Sequence, residues 1–280
     1  MHLLDVIQQE EKYLYLGYCR DCLKNKGSSN TLSRLNIEIS SSNKKLYWDV
    51  MNQMSNIKNY DGYPYFLHIL RCCLIFININ KEDEINIHET ISYILVHDYL
   101  EEGIKEHSDW PHHINYLCEK YNKNIANATV ILTEPEIVQS DYLNEDIYII
   151  KKVGLYLHMK MANKIEYNIS FLCDLIDNII ALIRSEYYNI QNCDSWYKLV
   201  RRIACCEYMI EKFSDREYID FVRELSDLVS LLMNKYNVDS CDVNKVKRNY
   251  YYIEDSYGLR IEQHILCKDR EYNIIFSESM

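Results

Sequence analysis

The 280-residue sequence contains few residues that interrupt helices, with only six glycines and three prolines. Because glycine and proline are the strongest local signals for turns, their scarcity argues against a fold of many short strands. The proportions of hydrophobic residues (48%) and charged residues (26%) are ordinary for a globular protein with a buried core. We therefore expect a mostly helical protein with one main domain.

Basic residues are also scarce, since 31 Lys and Arg face 42 Asp and Glu, giving a formal net charge of -11. General nucleic-acid binding is therefore not expected, although a local basic pocket for a small anion stays open. The most apolar run, FLHILRCCLIFINI, is interrupted by His68 and Arg71 and is too short to span a bilayer. The N-terminal segment lacks the regions of a signal peptide. We expect a cytoplasmic protein without membrane association.

Cysteine, in contrast, is frequent, with eleven residues. The odd number and the long chain argue against a framework of disulfides. Several of these residues stand in apolar helical runs, where buried free thiols are expected: Cys72, Cys73, Cys173, Cys205 and Cys206.

The pattern along the chain divides it into three parts. Residues 1–44 predict an N-terminal helix followed by a polar linker rich in Ser and Asn. In residues 45–235 the helical period dominates, which predicts seven or eight helices in one domain. In residues 236–280 the segments NYYYIED, LRIEQHILCK and YNIIFSES suggest a period of two and predict a small antiparallel β-meander. The expected fold is thus an all-α helical bundle with a C-terminal β extension.

The candidates for chemistry are nitrogen and oxygen ligands on separate predicted helices: His68, the pair His97–Asp98, and a carboxylate further along. Such ligands can hold a divalent metal and leave a coordination position open for water. His97 and Glu101 stand four residues apart, so a helix would turn both toward one cavity. A single histidine on an apolar helix is usually a core residue, and Glu101–Glu102 alone could be a solvated helix end. The combination favours a metal site.

The order of these residues resembles the HD-domain phosphohydrolase superfamily. YPYFLHILR, YILVHDYLEE and ATVILTEP are similar to segments of the Rel/SpoT-type alarmone hydrolases and their small metazoan relatives, over residues 55 to about 232. The resemblance implies an HD-type helical bundle in which His68, His97 and Asp98 bind a divalent metal, manganese first, with iron or zinc as alternatives. It also implies that Glu101 and Glu102 position or deprotonate the attacking water.

Two segments compete for the last metal ligand that the resemblance implies. KMANKIEYN places Asn163 at that position, and FLCDLIDN places Asp174 there, with Asn178 four residues later. On one unbroken helix the two candidates would lie about 16 Å apart, so they cannot share one metal. A carboxylate binds a divalent cation better than an amide, which favours Asp174. With Asn163 as the ligand, metal binding and catalysis would be impaired.

The resemblance implies a small nucleotide substrate, specifically a guanosine alarmone from which the 3'-pyrophosphate is released. The residues expected to bind this substrate are Arg71, Lys160, Asn163 and Asn178, although solvated helix surface is an alternative for Lys160 and Asn178. Basic residues near His68 are few, so a different nucleotide remains open. The alternative function is a degenerate HD fold that senses a nucleotide or recruits a protein without catalysis. A homo-oligomer is compatible with either function.

Overall fold

The computed structural model describes residues 3, 43–58, 64–80, 85–137, 142, 145–184, 193–214 and 218–272. These residues form one short 3-10 helix, His107–Asp109, and ten α-helices: α1 (Lys44–Met54), α2 (Phe66–Ile79), α3 (Ile87–Val96), α4 (Trp110–Lys120), α5 (Lys123–Ile131), α6 (Ile147–Ala162), α7 (Ile165–Arg184), α8 (Cys193–Lys212), α9 (Ile219–Tyr236) and α10 (Ser240–Glu271). No helix of this part of the chain combines the length and the apolarity that crossing a membrane requires. The predicted N-terminal helix and linker, residues 1–44, fall almost entirely outside the described residues.

The chain divides into two compact units, and the first comprises residues 1–130 and 165–177. In this unit α3 packs against both α1 and α2. Nearly every side chain of α2 is buried, including those of His68 and Arg71. A helix that is surrounded by protein needs no polar face, which explains its almost continuous apolar sequence. The two polar side chains within it must find partners inside the protein.

Helix α3 has a side-chain cap at its first turn and tight turns after its last residue. The Asn86 side chain accepts a hydrogen bond from the backbone N–H of Glu89 and so caps the first turn. The helix ends at Val96, with His97 as its C-cap, and the following residues form tight turns. Gly103 closes these turns, because a Cβ atom there would lie 2.3 Å from the backbone oxygen of Tyr99.

The second unit comprises residues 131–164 and 178–280. Within it α10 packs against α6 and α8, and α8 packs against α9. Asp146 and Asp239 cap the N-termini of α6 and α10 by accepting hydrogen bonds from backbone N–H groups. Helix α6 ends at Ala162, and its C-cap Asn163 has a left-handed backbone (φ 46°), a conformation that asparagine tolerates better than most residues.

The predicted C-terminal β-meander is wrong. Two of its three expected strands, 249–255 and 259–268, lie inside helix α10, and most of the third falls outside the described residues. The buried side chains of α10 recur at helical intervals, as Val243, Val246, Tyr250, Ile253, Ile261 and Ile265. The run of tyrosines at 250–252 obscures this period, because only one of the three rings is buried. Gly258, which separates the first two of these expected strands, also lies within the helix.

The expectation of buried cysteines outside disulfides is confirmed for Cys72, Cys73, Cys173, Cys205 and Cys206.

Candidate metal centre

The candidate centre lies in the first unit, where three helices bring together residues that are distant in the sequence. Helix α2 carries His68, the end of α3 is followed directly by His97 and Asp98, and α7 carries Asp174. Both histidines are buried, and each carboxylate retains a small solvent-accessible fraction of about one seventh. The cluster therefore has a protein-facing side of nitrogen atoms and a partly accessible side of carboxylate oxygens.

The four side chains converge at their tips. The Nε2 atoms of His68 and His97 are 3.2 Å apart. Asp98 Oδ2 lies 3.3 Å from His68 Nε2 and 2.9 Å from His97 Nε2. Asp174 Oδ1 lies 3.2 Å and 3.8 Å from the same two nitrogens. Two ligand atoms bound to one ion at about 2.1 Å are separated by about 3.0–3.4 Å, so this spacing suits a shared cation.

Both imidazoles direct Nε2 toward the cluster and use Nδ1 elsewhere. The Nδ1–H of His68 donates to Asp177 Oδ2 at 2.6 Å, and that of His97 donates to the backbone oxygen of Ile94 at 2.7 Å. Because a carboxylate and a carbonyl can only accept, each Nδ1 carries the proton. This arrangement leaves the Nε2 lone pair for a metal and is the usual support of a metal-binding histidine. The donor set therefore fits a divalent cation.

Cys72 is a further candidate ligand that the sequence did not single out. One ligand atom each from His68, Cys72, His97 and Asp174 lies within 4.8 Å of the others, so this cluster could hold a metal ion. The Cys72 sulfur, however, is 3.9 Å from both ring nitrogens of His68, which places it beside the ring. It does not lie on the axis of the Nε2 lone pair. Asp98 Oδ2, at 3.3 Å, is closer to His68 Nε2 than the sulfur is, and burial raises the pKa of the Cys72 thiol.

The charges in the cluster stabilise one another. Burial lowers the pKa of His68, but the carboxylates of Asp174, Asp177 and Asp98 outweigh this effect and raise it well above its ordinary value. The pKa of His97 is likewise raised, against the effect of burial, by Asp98 and Asp174. The pKa values of Asp98 and Asp174 are lowered below their ordinary value, because the two imidazoles outweigh the burial of each carboxylate. A cation bound at Nε2 would replace protons on these rings.

Tyr65 and Glu102 stand at the edge of the cluster. The Tyr65 hydroxyl donates a hydrogen bond to Asp98 Oδ2 at 2.7 Å. Burial and the charge of Asp98 raise the pKa of this phenol, so it stays protonated. The Glu102 side chain is exposed as a whole, but partial burial of its carboxyl raises the pKa of Glu102. The negative charge of Asp98 raises this pKa further. Glu101 is also exposed.

The four expected substrate-binding residues lie in different surroundings. Arg71 is buried, and its Nε and terminal nitrogen donate to the two oxygens of Asp177 at 2.8 and 3.0 Å. Lys160, Asn163 and Asn178 belong to the second unit and have exposed side chains. Asn163 ends helix α6, and Asp174 is the candidate that lies among the histidines.

Sequence reasoning missed Asp177, which contacts both His68 and Arg71. A signal was present, because Asp174 and Asp177 are three residues apart and must share one face of a helix. A single metal ligand accounts for only one of the two acids on that face. The second acid could therefore pair with the histidine or the arginine that the facing helix buries. Tyr65 was quoted in the motif YPYFLHILR but was given no role.

No family model, no curated protein and no solved structure matches this chain. The described helices and the cluster define a helical protein with a buried candidate metal centre of imidazole and carboxylate groups.

Proposed function

We propose that this protein is a metal-dependent phosphohydrolase of the HD type that acts on a nucleotide. The observation that carries the proposal is the convergence of His68 and His97 with Asp98 and Asp174, both histidines presenting Nε2. Two imidazoles and two carboxylates form a ligand set that manganese, iron and zinc all accept, and manganese is our first choice. A divalent ion held there would activate water and stabilise negative charge on a phosphoryl group.

Glu102 is the residue that we propose as the general base. Its exposed carboxyl can reach solvent, and its raised pKa brings its basicity closer to neutral pH, where proton acceptance is most effective. The backbone N–H of Glu102 donates to the backbone oxygen of Asp98 at 3.0 Å, which supports its position beside the cluster. Glu101 follows Asp98 by three residues in the same turns and is proposed to help orient the water.

Tyr65 is proposed to orient Asp98 and not to transfer a proton. The Tyr65 hydroxyl holds one oxygen of Asp98 by a hydrogen bond and cannot act as a base, because its raised pKa keeps it protonated. It therefore fixes the carboxylate orientation at the accessible side of the cluster.

The substrate class is proposed from the resemblance of YPYFLHILR and YILVHDYLEE to the alarmone hydrolases. A guanosine nucleotide carrying a 3'-pyrophosphate is accordingly the first substrate to test. Arg71 was expected to bind its phosphates, but this guanidinium is engaged by Asp177 inside the protein. Its burial favours a substrate whose phosphates are neutralised by the cation and by other residues, so nucleotides with other phosphate positions belong in the same test.

A second candidate is an HD-type module that binds a nucleotide without hydrolysing it. The burial of Arg71 is the observation that favours it, because a hydrolase of pyrophosphates normally needs free cations for the charge of its substrate. In this case the centre would hold a metal as a structural or ligand-binding element.

The test is a hydrolysis assay of the purified protein with added manganese, iron or zinc. Guanosine 3'-pyrophosphate derivatives and common nucleoside 5'-triphosphates serve as substrates, and released pyrophosphate or phosphate is measured. We expect turnover with wild type, less than about 1% of it with His97→Ala, and a loss of about 100-fold or more with Glu102→Gln. His112→Ala removes an exposed histidine outside the cluster and serves as the matched control.

Hydrolysis that survives in His97→Ala would contradict the proposed site. Metal and nucleotide binding without turnover in the folded wild type would replace the hydrolase by the binding module.

A further inference from the structure

We propose that Asp177, held in place by Arg71, is a positioning residue that fixes the ring orientation and the tautomer of His68 and thereby sets the metal affinity of the centre. This inference rests on the proposed function in one respect, namely that the cluster binds a metal. It does not require that the protein hydrolyses a nucleotide.

The geometry joins three buried side chains in a row. Asp177 Oδ2 accepts the Nδ1–H of His68 at 2.6 Å, a short and strong charge-assisted hydrogen bond. Arg71 donates to both oxygens of the same carboxylate, at 2.8 and 3.0 Å, in a two-pronged arrangement. The Asp177 side chain is 1% exposed and that of Arg71 is 7% exposed, so water does not compete for these bonds. The carboxylate therefore cannot rotate away from His68 without breaking three hydrogen bonds.

The two metal-facing histidines are supported differently. His97 donates its Nδ1–H to the backbone oxygen of Ile94, which is part of the helix that precedes it. That acceptor is neutral and cannot be removed by changing a side chain. His68 instead depends on the charged carboxylate of Asp177, which makes its imidazole a more basic ligand. Of the two Nδ1 hydrogen bonds, only that of His68 can therefore be removed by substituting the acceptor's side chain.

The arginine is what makes a carboxylate tolerable at this position. An isolated charge buried as deeply as that of Asp177 would be strongly destabilising, and Arg71 neutralises it. The same pair could exist only to stabilise the contact between α2 and α7, with no effect on the metal. Removing both charges together distinguishes the two roles. That change leaves no unpaired buried charge, but it removes the acceptor for the Nδ1–H of His68.

The experiment compares wild type with the double variant Arg71→Met/Asp177→Leu, which replaces the pair by apolar side chains of similar size. Replacing a whole buried ion pair is tolerated far better than breaking it, so this variant is expected to fold. Affinities for Mn²⁺ and Zn²⁺ alone are measured by calorimetry. In the zinc-loaded proteins, nitrogen-15 NMR reports which ring nitrogen of His68 carries the proton. Ser170→Ala changes another buried side chain of α7, whose hydroxyl bonds within its own helix, and is the matched control.

We expect the double variant to bind both metals about 10–100-fold more weakly than wild type. We also expect the His68 Nδ1–H signal to lose the downfield shift of its strong hydrogen bond, while Ser170→Ala matches wild type in both measurements. The single variant Asp177→Asn keeps an acceptor oxygen for His68 and should retain more affinity than the double variant.

A double variant that folds and binds metal as tightly as wild type would overturn the positioning role and leave the proposed function intact. Tight metal binding by wild type without any nucleotide hydrolysis would overturn the hydrolase and leave the positioning role intact. A folded wild type that binds neither metal would overturn both.

Discussion

Asp174 Oδ1 lies 3.2 Å from His68 Nε2, and Asp177 Oδ2 lies 2.6 Å from Nδ1 of the same ring. One face of helix α7 thus supplies two carboxylates to two opposite sides of one imidazole. The Asp174 carboxylate, next to Nε2, also lies near His97 Nε2, at the accessible side of the cluster. The Asp177 carboxylate, next to Nδ1, is buried inside the protein. Substitutions of these two acids should consequently have different effects.

Asp174→Ala should remove the metal while the helical fold is retained. We expect an affinity loss of at least about 100-fold, more than the 10–100-fold that is typical for a residue behind a ligand. Asp255→Ala removes an exposed carboxylate from helix α10 and should bind metal like wild type. Metal content after dialysis and circular dichroism are the measurements. Full metal occupancy in folded Asp174→Ala would show that the cation is held by a different set of ligands.

Much of the helical fold of the described residues could be predicted, because it depends on local signals. The scarcity of glycine and proline and the long apolar runs predicted helices at α2 and α3, but the helix expected to carry both His97 and Glu101 ends at Val96. Helix α10 was missed because three consecutive tyrosines and a central glycine suggested a strand and a turn over short windows. Its period becomes visible only over more than twenty residues, from Val243 to Ile265.

For the candidate site, the sequence allowed a prediction of which residues could come together as metal ligands, but not of the contacts around them. His68, His97 and Asp174 do lie in one cluster that could hold a metal ion. Which of two acids on α7 faces Nε2 depends on the rotation of that helix against α2, which a sequence does not reveal. The burial of Arg71 is likewise a tertiary effect, since the same residue on an exposed helix would be free to bind a phosphate. The roles of Glu101 and Glu102 remain predictions.

Asn163→Ala should destabilise the protein without affecting the metal. Asn163 has a left-handed backbone at the end of α6, where an alanine side chain costs about 1 kcal/mol and glycine costs nothing. Asn237 has the same conformation at the end of α9 and provides a matched comparison. Urea denaturation should give the same order at both positions, with glycine at least as stable as asparagine and alanine less stable. Loss of metal from a folded Asn163→Ala would instead assign the last ligand to Asn163.

Gly258→Ala should stabilise the protein by about 0.5–1 kcal/mol, because alanine is favoured over glycine inside a helix. Space is available, since the added Cβ atom would lie 3.9 Å from the nearest side-chain atom, Cδ1 of Leu157. Gly154→Ala is the contrasting change in α6, where the Cβ atom would lie 2.7 Å from Cγ of Pro135 and must displace it. Thermal denaturation of both variants tests the helix directly. If Gly258→Ala proved strongly destabilising, a continuous helix α10 would be ruled out.

Glu134→Gln should reduce stability at neutral pH and have a smaller effect in acid. The Glu134 carboxylate forms ion pairs with Lys152 at 2.8 Å and with Lys151 at 3.4 Å. Burial raises the pKa of Glu134, but the two lysines outweigh it and hold the pKa below its ordinary value of 4.5. A carboxyl whose pKa is lowered by folding stabilises the folded state above its unfolded pKa and loses that contribution as the pH falls through its folded pKa.

The stability difference between wild type and Glu134→Gln should therefore be about 1 kcal/mol near pH 7 and decline below about pH 4.5. Urea denaturation at a series of pH values measures it. Glu106→Gln, at an exposed position of the first unit, should show little difference at any of these values. If the stability deficit of Glu134→Gln grew on acidification, the result would contradict this prediction, because it would mean that folding raises the pKa of Glu134. The ion pairs with Lys151 and Lys152 would then not dominate over the burial of the carboxylate.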